Sequence, residues 1–203
     1  MKTPMLSIAL ALGLATAGVA VAQAPAPHDP SRVEAGTYTL DPNHTQVAFT
    51  VSHMGFSNYT GLFSGASGEL TLDPKAAGAS TLNVSVSVAS VMTTSPKLDA
   101  ELKSAQWIDA AQFPVMTFVS TKVVPDGADK ATVTGDLTLH GVTRPVVLRV
   151  TFVGAGTNPL NKKVTVGFEA TGELKRSDFG VKTYVPLIGD ALHLTIAGAF
   201  ERK

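Results

Sequence analysis

The sequence predicts an all-β protein in which about eight antiparallel strands close into a barrel. Hydrophobic and polar residues alternate along most of the chain, turn-forming residues separate the alternating segments, and only one stretch has helical spacing. Short antiparallel strands without long crossover helices form either a sandwich or a closed barrel. We favour the barrel, because closure removes the exposed strand edges that an all-β chain must otherwise protect.

Nine segments account for the eight or nine predicted strands. Five of them alternate clearly, at 47–51, 82–88, 146–152, 164–170 and 192–200. Four more are expected at 37–41, 59–73, 115–124 and 132–140. Turn-forming runs such as Asp41-Pro42-Asn43 separate them.

One stretch departs from this alternation. Ser95 is a good N-cap for a helix with Pro96 at its first position, and Leu98, Leu102 and Ala105 follow at helical spacing. We therefore expect one or two short helices between Pro96 and about residue 110, and we expect them to close one end of the barrel.

The N-terminus predicts export. Lys2 precedes an uncharged run over 6–21, and Ala20-Val21-Ala22 supplies the small residues of a signal-peptidase site. The run is shorter than the about 20 residues of a membrane helix, so we expect no integral membrane span. We predict a signal peptide over 1–22, cleavage after Ala22, and a periplasmic or secreted product. Residues 23–35, which are rich in proline, are expected to form an extended tether before a domain over 36–203.

Composition narrows the function. With 16 basic and 16 acidic residues the chain has no net charge to attract nucleic acid, and with no cysteine it has no thiol chemistry. The five histidines form no recognisable metal motif, and no catalytic or cofactor-binding motif is present. We therefore expect no metal, no cofactor and no enzymatic activity.

Three polar residues are candidates for contact with a ligand. If the strand over 164–174 keeps its alternation, Arg176 and Asp178 share its inward face, where a buried arginine needs a partner. The alternative is that the strand ends near Lys175 and both charges are solvated in a hairpin. His53 continues the inward alternation of Val51, so it is expected to point inward or to lie at the inner rim, as either a ligand contact or a buried structural histidine.

Several blocks of the sequence resemble the YceI family of exported bacterial proteins. They are Tyr38 to His44, Val47 to Gly55, Gly61 to Phe63, Gly68 to Asp73, Phe113 to Thr121, Gly135 to Pro145, and Arg176 to Gly180. The resemblance covers about residues 36 to 201. It implies an elongated, lipocalin-like barrel that holds a polyisoprenoid or another long-chain amphiphile, such as an isoprenoid quinone. The chain departs from the family pattern at Thr45 and over 98–102.

The leading hypothesis is a periplasmic carrier with a lipid-like ligand in the barrel. Arg176, Asp178 and His53 are its candidate head-group contacts. The candidate lining of the ligand tail consists of Phe49, Val51, Val84, Val86, Phe118, Val166, Phe168 and Phe179. The alternatives are an enzyme that acts on such a lipid through His53 with Asp178 or a serine, and a structural barrel with a filled core. The oligomeric state stays open, with a homodimer as one alternative.

Overall fold

The computed structural model describes residues 25–203, so the predicted signal peptide and its cleavage after Ala22 lie outside the described residues. The described chain forms ten antiparallel strands and one short α-helix. The strands are β1 (Gly36–Leu40), β2 (Gln46–His53), β3 (Ser57–Phe63), β4 (Ala66–Leu72), β5 (Thr81–Ser87), β6 (Val115–Asp126), β7 (Lys130–Leu139), β8 (Val142–Thr157), β9 (Val164–Lys175) and β10 (Ile188–Arg202). The helix is α1 (Pro96–Lys103).

The ten strands occupy eight positions around a closed barrel, which we call staves. Strands β1 and β2 share one stave, and β3 and β4 share another. Strands β1 and β2 follow one another along the same edge of β10, and β4 and β3 pair with them on the other side. The remaining strands each pair with their neighbours in sequence, and the β1–β10 pairing closes the ring. This arrangement confirms the predicted antiparallel barrel of about eight strands.

A kink divides the single strand that was predicted over 59–73. Strand β3 ends at Phe63 and β4 begins at Ala66, and Gly65 between them has a φ of 66°, which favours glycine. The amide N–H of Ser64 donates to Ser90 Oγ at 3.1 Å. The kink lets one stave pair with β2 along one half and with β1 along the other.

Glycines make room for aromatic rings inside the barrel. Gly61 lies opposite Phe49 in the sheet, and Gly135 lies on β7 beside Phe118 of β6. A Cβ at either glycine would lie only 2.3 Å from a carbon of the neighbouring ring. The phenylalanine side chains can therefore turn into the interior without a clash.

The helix is shorter than predicted. Ser95 caps α1 as expected, but the helix ends at Lys103, and Ser104 takes an extended conformation. Ser104 Oγ donates to the carbonyl oxygen of Glu101 at 2.7 Å, and residues after it form turns. The change of direction brings Trp107 and Ile108 into the buried core at one end of the barrel.

The predicted tether is described from residue 25 onward, and its described part contacts the barrel. His28 Nδ1 lies 3.0 Å from the carbonyl oxygen of Val153 in β8, and residues 30–32 form a single 3-10 turn. Within residues 25–203, no helix is both long enough and apolar enough to cross a bilayer.

A substitution at Gly68 tests how closely the backbones of β4 and β5 approach each other. A Cβ at Gly68 would lie 2.2 Å from the carbonyl oxygen of Asn83 and 2.9 Å from Val84 Cα, which are backbone atoms that cannot rotate away. We expect Gly68→Ala to cost about 2 kcal/mol of the free energy of unfolding. This cost corresponds to a Tm lower by about 4–8 °C in thermal unfolding.

Gly167→Ala is the matched control. A Cβ at Gly167 would meet its nearest atom, Val153 Cβ, at 3.7 Å, which is ordinary contact. If the two variants melt together, the close approach of β4 and β5 does not exist in solution.

Candidate ligand-binding cavity

The interior of the barrel contains a cavity of about 820 Å³. Its wall is almost entirely apolar, since it is built from the inward-facing side chains of the alternating strands. Examples from four staves are Phe49, Val51, Val84, Val86, Leu148, Val150, Phe168 and Ala170. Side chains therefore do not fill this barrel, and a space of this size lies within the range of ligand pockets.

The cavity has a closed end and a mouth. At the closed end the lining residues are buried, and they include Trp107, Ile108, Leu139, Val181 and Arg176. At the opposite end the lining residues are exposed, and they include Ser31, Lys75, Pro125, Gly127 and Lys130. A ligand would therefore enter from the end formed by the β4–β5 and β6–β7 connections.

Arg176 is the charged residue of the closed end. Its side chain is only 3% exposed and donates to three backbone carbonyl oxygens. Nε donates to Gly189 at 2.9 Å, one terminal nitrogen donates to Val181 at 3.1 Å, and the other donates to Ile188 at 2.8 Å. These bonds hold the connection between β9 and β10 across the end of the barrel.

The electrostatic environment of Arg176 is unusual for a buried cation. None of the ion pairs in the described part of the chain includes Arg176. Burial lowers the pKa of Arg176, and the negative charge of Asp190 partly offsets this effect. Cζ lies 5.5 Å from the centre of the Trp107 ring, a cation–π distance. Arg176 is one of the residues that line the cavity, and its guanidinium has N–H groups beyond the three bonds that are available as donors.

The predicted pairing of Arg176 with Asp178 is wrong. Strand β9 ends at Lys175, and residues 176–179 form a 3-10 turn that Gly180 ends with a φ of 82°. Arg176 still continues the inward alternation of β9, but the turn breaks the alternation after it, so Asp178 is exposed. The nearby carboxylate is Asp190, which accepts from the N–H of Ser177 at 2.9 Å and from Ser177 Oγ at 2.7 Å.

The prediction that His53 points inward is also wrong. Val51 is buried in the wall of the cavity, but β2 ends at His53, whose side chain is exposed. His53 is still paired with Ile188 and Ser57, but it is the last residue of β2, and the chain turns after it towards Phe56. His53 and Asp178 are therefore both outside the cavity.

Six of the eight candidate tail contacts line the cavity. They are Phe49, Val51, Val84, Val86, Phe118 and Phe168. Val166 and Phe179 are each 1% exposed but belong to the core outside the cavity wall. Val166 is covered by its strand partners Ala155 and Phe200, and Phe179 lies in the 3-10 turn after β9.

Sequence reasoning expected the segment from Pro96 to about residue 110 to close one end of the barrel, but it did not identify the residues that line this end. Trp107 and Ile108 have no strand alternation and lie after α1, while Val181 lies in the β9–β10 connection. The one signal was composition, because Trp107 is the single tryptophan of the chain and stands beside an isoleucine in a polar stretch. Among residues 25–203, no group of three or more histidine and carboxylate side chains is placed to hold a metal ion.

A closed antiparallel barrel with an apolar internal cavity is the architecture of lipocalin-like binding proteins. The model of the YceI-like domain matches residues 38–200 of this chain. Protein YceI of Escherichia coli O157:H7 is 40% identical over 151 residues, which cover 73% of this chain and 78% of that protein. The chain therefore belongs to the YceI-like family.

Two solved structures are similar to this fold. Burkholderia cenocepacia BcnA superimposes with a TM-score of 0.71 at 26% identity, over 79% of this chain and 98% of that one. A polyisoprenoid binding domain from Saccharophagus degradans, implicated in plant cell wall breakdown, gives a TM-score of 0.64 at 15% identity. This second match covers 82% of this chain and 98% of that one, and it shows the shared fold alone.

The role of Asp190 can be tested through the pH dependence of the free energy of unfolding. Burial alone would raise the pKa of Asp190, but the hydrogen bonds from Ser177 and the charges of Arg176 and Lys175 outweigh it and hold the pKa below 3.8. The ionised carboxylate therefore stabilises the fold above this pH, and the contribution is lost as the pH falls through the lowered pKa. We expect Asp190→Asn to cost about 1–2 kcal/mol at pH 7 and less as the pH falls below 3.8.

Asp178→Asn is the control in the same denaturant titrations. Its carboxylate is exposed, so we expect a change within about 0.5 kcal/mol. An equal loss in both variants would show that Asp190 has no special role in supporting the turn.

Proposed function

We propose that this protein is a periplasmic or secreted carrier that holds a polyisoprenoid or another long-chain amphiphile inside its barrel. The observation that carries the proposal is the apolar cavity of about 820 Å³, which is closed at one end and accessible at the other. A blind, elongated and apolar space suits a flexible hydrocarbon chain better than a compact polar molecule. The polyisoprenoid binding domain of the same fold supports this ligand class.

The binding free energy that apolar contacts with a long chain can supply is sufficient for such a function. At about 0.3 kcal/mol per heavy atom, a chain of about 20 carbons would gain about 6 kcal/mol, and one of about 40 carbons about 12 kcal/mol. These gains correspond to dissociation constants from roughly tens of micromolar to nanomolar. Long chains would therefore be held firmly, whereas short ones would exchange.

Neither alternative function has support from the geometry. The enzyme hypothesis used His53 with Asp178, and both side chains are exposed and outside the cavity. The hypothesis of a filled structural core conflicts with the cavity itself. The signal-peptide features of residues 1–22 and the absence of net charge fit a carrier that works outside the cytoplasm.

We propose further that Arg176 contacts the polar head of the ligand at the closed end. The guanidinium lines the cavity and has no carboxylate ion-pair partner among the described residues. An anionic or strongly accepting head group would supply the missing partner in an otherwise apolar space. His53 and Asp178 are no longer candidates for this contact, because neither reaches the cavity.

A bulky residue in the cavity wall tests the location of the ligand. Val86 is 6% exposed and faces the cavity, so the indole of Val86→Trp would occupy the space of the tail. We expect this variant to bind a polyprenol of about 40 carbons at least about tenfold more weakly. The measurement is displacement of the fluorescent probe N-phenyl-1-naphthylamine by the polyprenol.

Val119→Trp is the matched control, since Val119 of β6 is 44% exposed and points away from the cavity. We expect its affinity to match that of the wild type. If Val86→Trp binds equally well and melts normally, the ligand lies elsewhere. If it unfolds, the core is packed and the cavity interpretation fails.

Arg176→Lys tests the head-group contact. Lysine keeps the charge but lacks the planar fork of arginine, so paired recognition of phosphate or carboxylate oxygens is lost. We expect the preference for a polyprenyl phosphate over the polyprenol of the same length to fall at least about tenfold. Both lipids are measured on the same variant, so the ratio is independent of any loss of stability. An unchanged preference would leave Arg176 as a structural residue alone.

A further inference from the structure

Residues 26–34, which we call the strap, run from β8 to the start of β1 across one side of the barrel mouth. At one end the carbonyl oxygen of Pro27 accepts from the N–H of Ala155 in β8 at 3.4 Å. At the other end the carbonyl oxygen of Glu34 accepts from the hydroxyl of Tyr38 at 2.6 Å, and the Glu34 carboxylate pairs with Arg202. Because β9 and β10 lie between β8 and β1 in the ring, the strap bridges these strands.

The middle of the strap forms part of the cavity wall. Pro30, Ser31 and Val33 line the cavity at its mouth. Asp29 fixes their geometry, since its carboxylate accepts from the N–H of Ser31 at 3.0 Å and from Ser31 Oγ at 2.6 Å. The strap therefore carries a small preformed turn that faces the ligand space.

The two anchors of the strap differ in strength. The Glu34 end continues directly into β1, whereas the other end depends on His28 and Pro27. The His28 ring centre lies 5.5 Å from that of Phe152, and Nε2 lies 3.5 Å from the Asp129 carboxylate. Both members of this polar pair are exposed, and exposed ion pairs contribute little to stability. His28 is thus a weak latch beside a cavity-lining phenylalanine.

The strap packs against β8 at an irregularity of this strand. The pairing of β8 with β9 shifts register between Phe152 and Gly154. A Cβ at Gly154 would lie 3.3 Å from the carbonyl oxygen of Pro27 and 3.5 Å from Ala26 Cβ, so the strap packs directly against this glycine. The space left between them is enough for a Cβ with only a small shift of the strap.

We propose that the strap is a lid that controls exchange of the ligand. Release of His28 from β8 lets residues 26–33 swing about Glu34, which opens the mouth beside Phe152. Return of His28 restores the wall formed by Pro30 and Val33. The lid rests on the proposed function for the nature of its ligand, whereas the lid itself stands on the contacts of the strap.

A reversible lock tests the lid directly. The distance of 3.5 Å between Ala26 Cβ and a Cβ built at Gly154 lies within the range of about 3.5–4.5 Å that a disulfide requires. The chain has no cysteine, so Ala26→Cys combined with Gly154→Cys creates a single defined bond. The readout is the dissociation rate of N-phenyl-1-naphthylamine from the full mature chain into excess phosphatidylcholine vesicles.

We expect the oxidised double variant to release the probe at least about tenfold more slowly than the reduced one, with the rate restored by dithiothreitol. The single Ala26→Cys variant controls for the redox treatment. His28→Ala tests the latch from the opposite side without any bond formation, and it should release the probe several-fold faster. His193→Ala is its control, since His193 lies near Glu173 on the outer face of β10, at 3.2 Å.

The outcomes separate the two proposals. Equal release rates in all variants, with probe affinity intact, would overturn the lid and leave the proposed function standing. A wild-type protein that binds no probe would overturn the proposed function and the lid together. Slower release on oxidation and faster release without His28 would establish the lid.

Discussion

The pairing of β1 with β10 is the constraint on which this molecule depends. It turns an open antiparallel sheet into a ring, so that every stave has two neighbours and the inward face of each strand becomes interior. An interior of eight staves is wide enough that valines, leucines and phenylalanines need not meet at its centre. Closure and alternation together therefore permit an apolar cavity, and the inward side chains of this chain leave that space open.

One end of the barrel is blocked for a different reason, because the buried charge of Arg176 must be hydrogen-bonded. Arg176 enters the core because it continues the inward alternation of β9, and its hydrogen bonds to the carbonyl oxygens of Val181, Ile188 and Gly189 then hold the connection in place. Trp107 covers the same guanidinium from the α1 side. One cation therefore joins the β9–β10 connection to the segment after α1, and together they block one end of the cavity.

The sequence predicted what is local and missed what depends on long-range contacts. Strand alternation is a local signal, so segments such as 146–152 were found and six of the eight proposed tail contacts line the cavity. Arg176 was found because its inward position follows from the preceding strand. Its partners could not be found, because they are backbone carbonyls, which every residue carries and no side chain marks.

The same distinction explains the other differences. Asp178 was misplaced because β9 ends at Lys175, before the alternation reaches it, and His53 was misplaced because it is the exposed last residue of β2. The docking of residues 26–34 was missed because prolines predict only an extended chain, whereas its seat depends on the irregularity at Gly154 in β8. Each of these features is set where one segment meets another that is distant in sequence.

Native mass spectrometry of the purified protein tests most directly the proposal that the barrel encloses a long apolar chain. We expect one lipid bound per chain, which is released on collisional activation and recovered in solvent extracts as a long-chain isoprenoid or a related amphiphile. A protein that is isolated without lipid, and that takes up no polyprenol when one is supplied, would contradict the account.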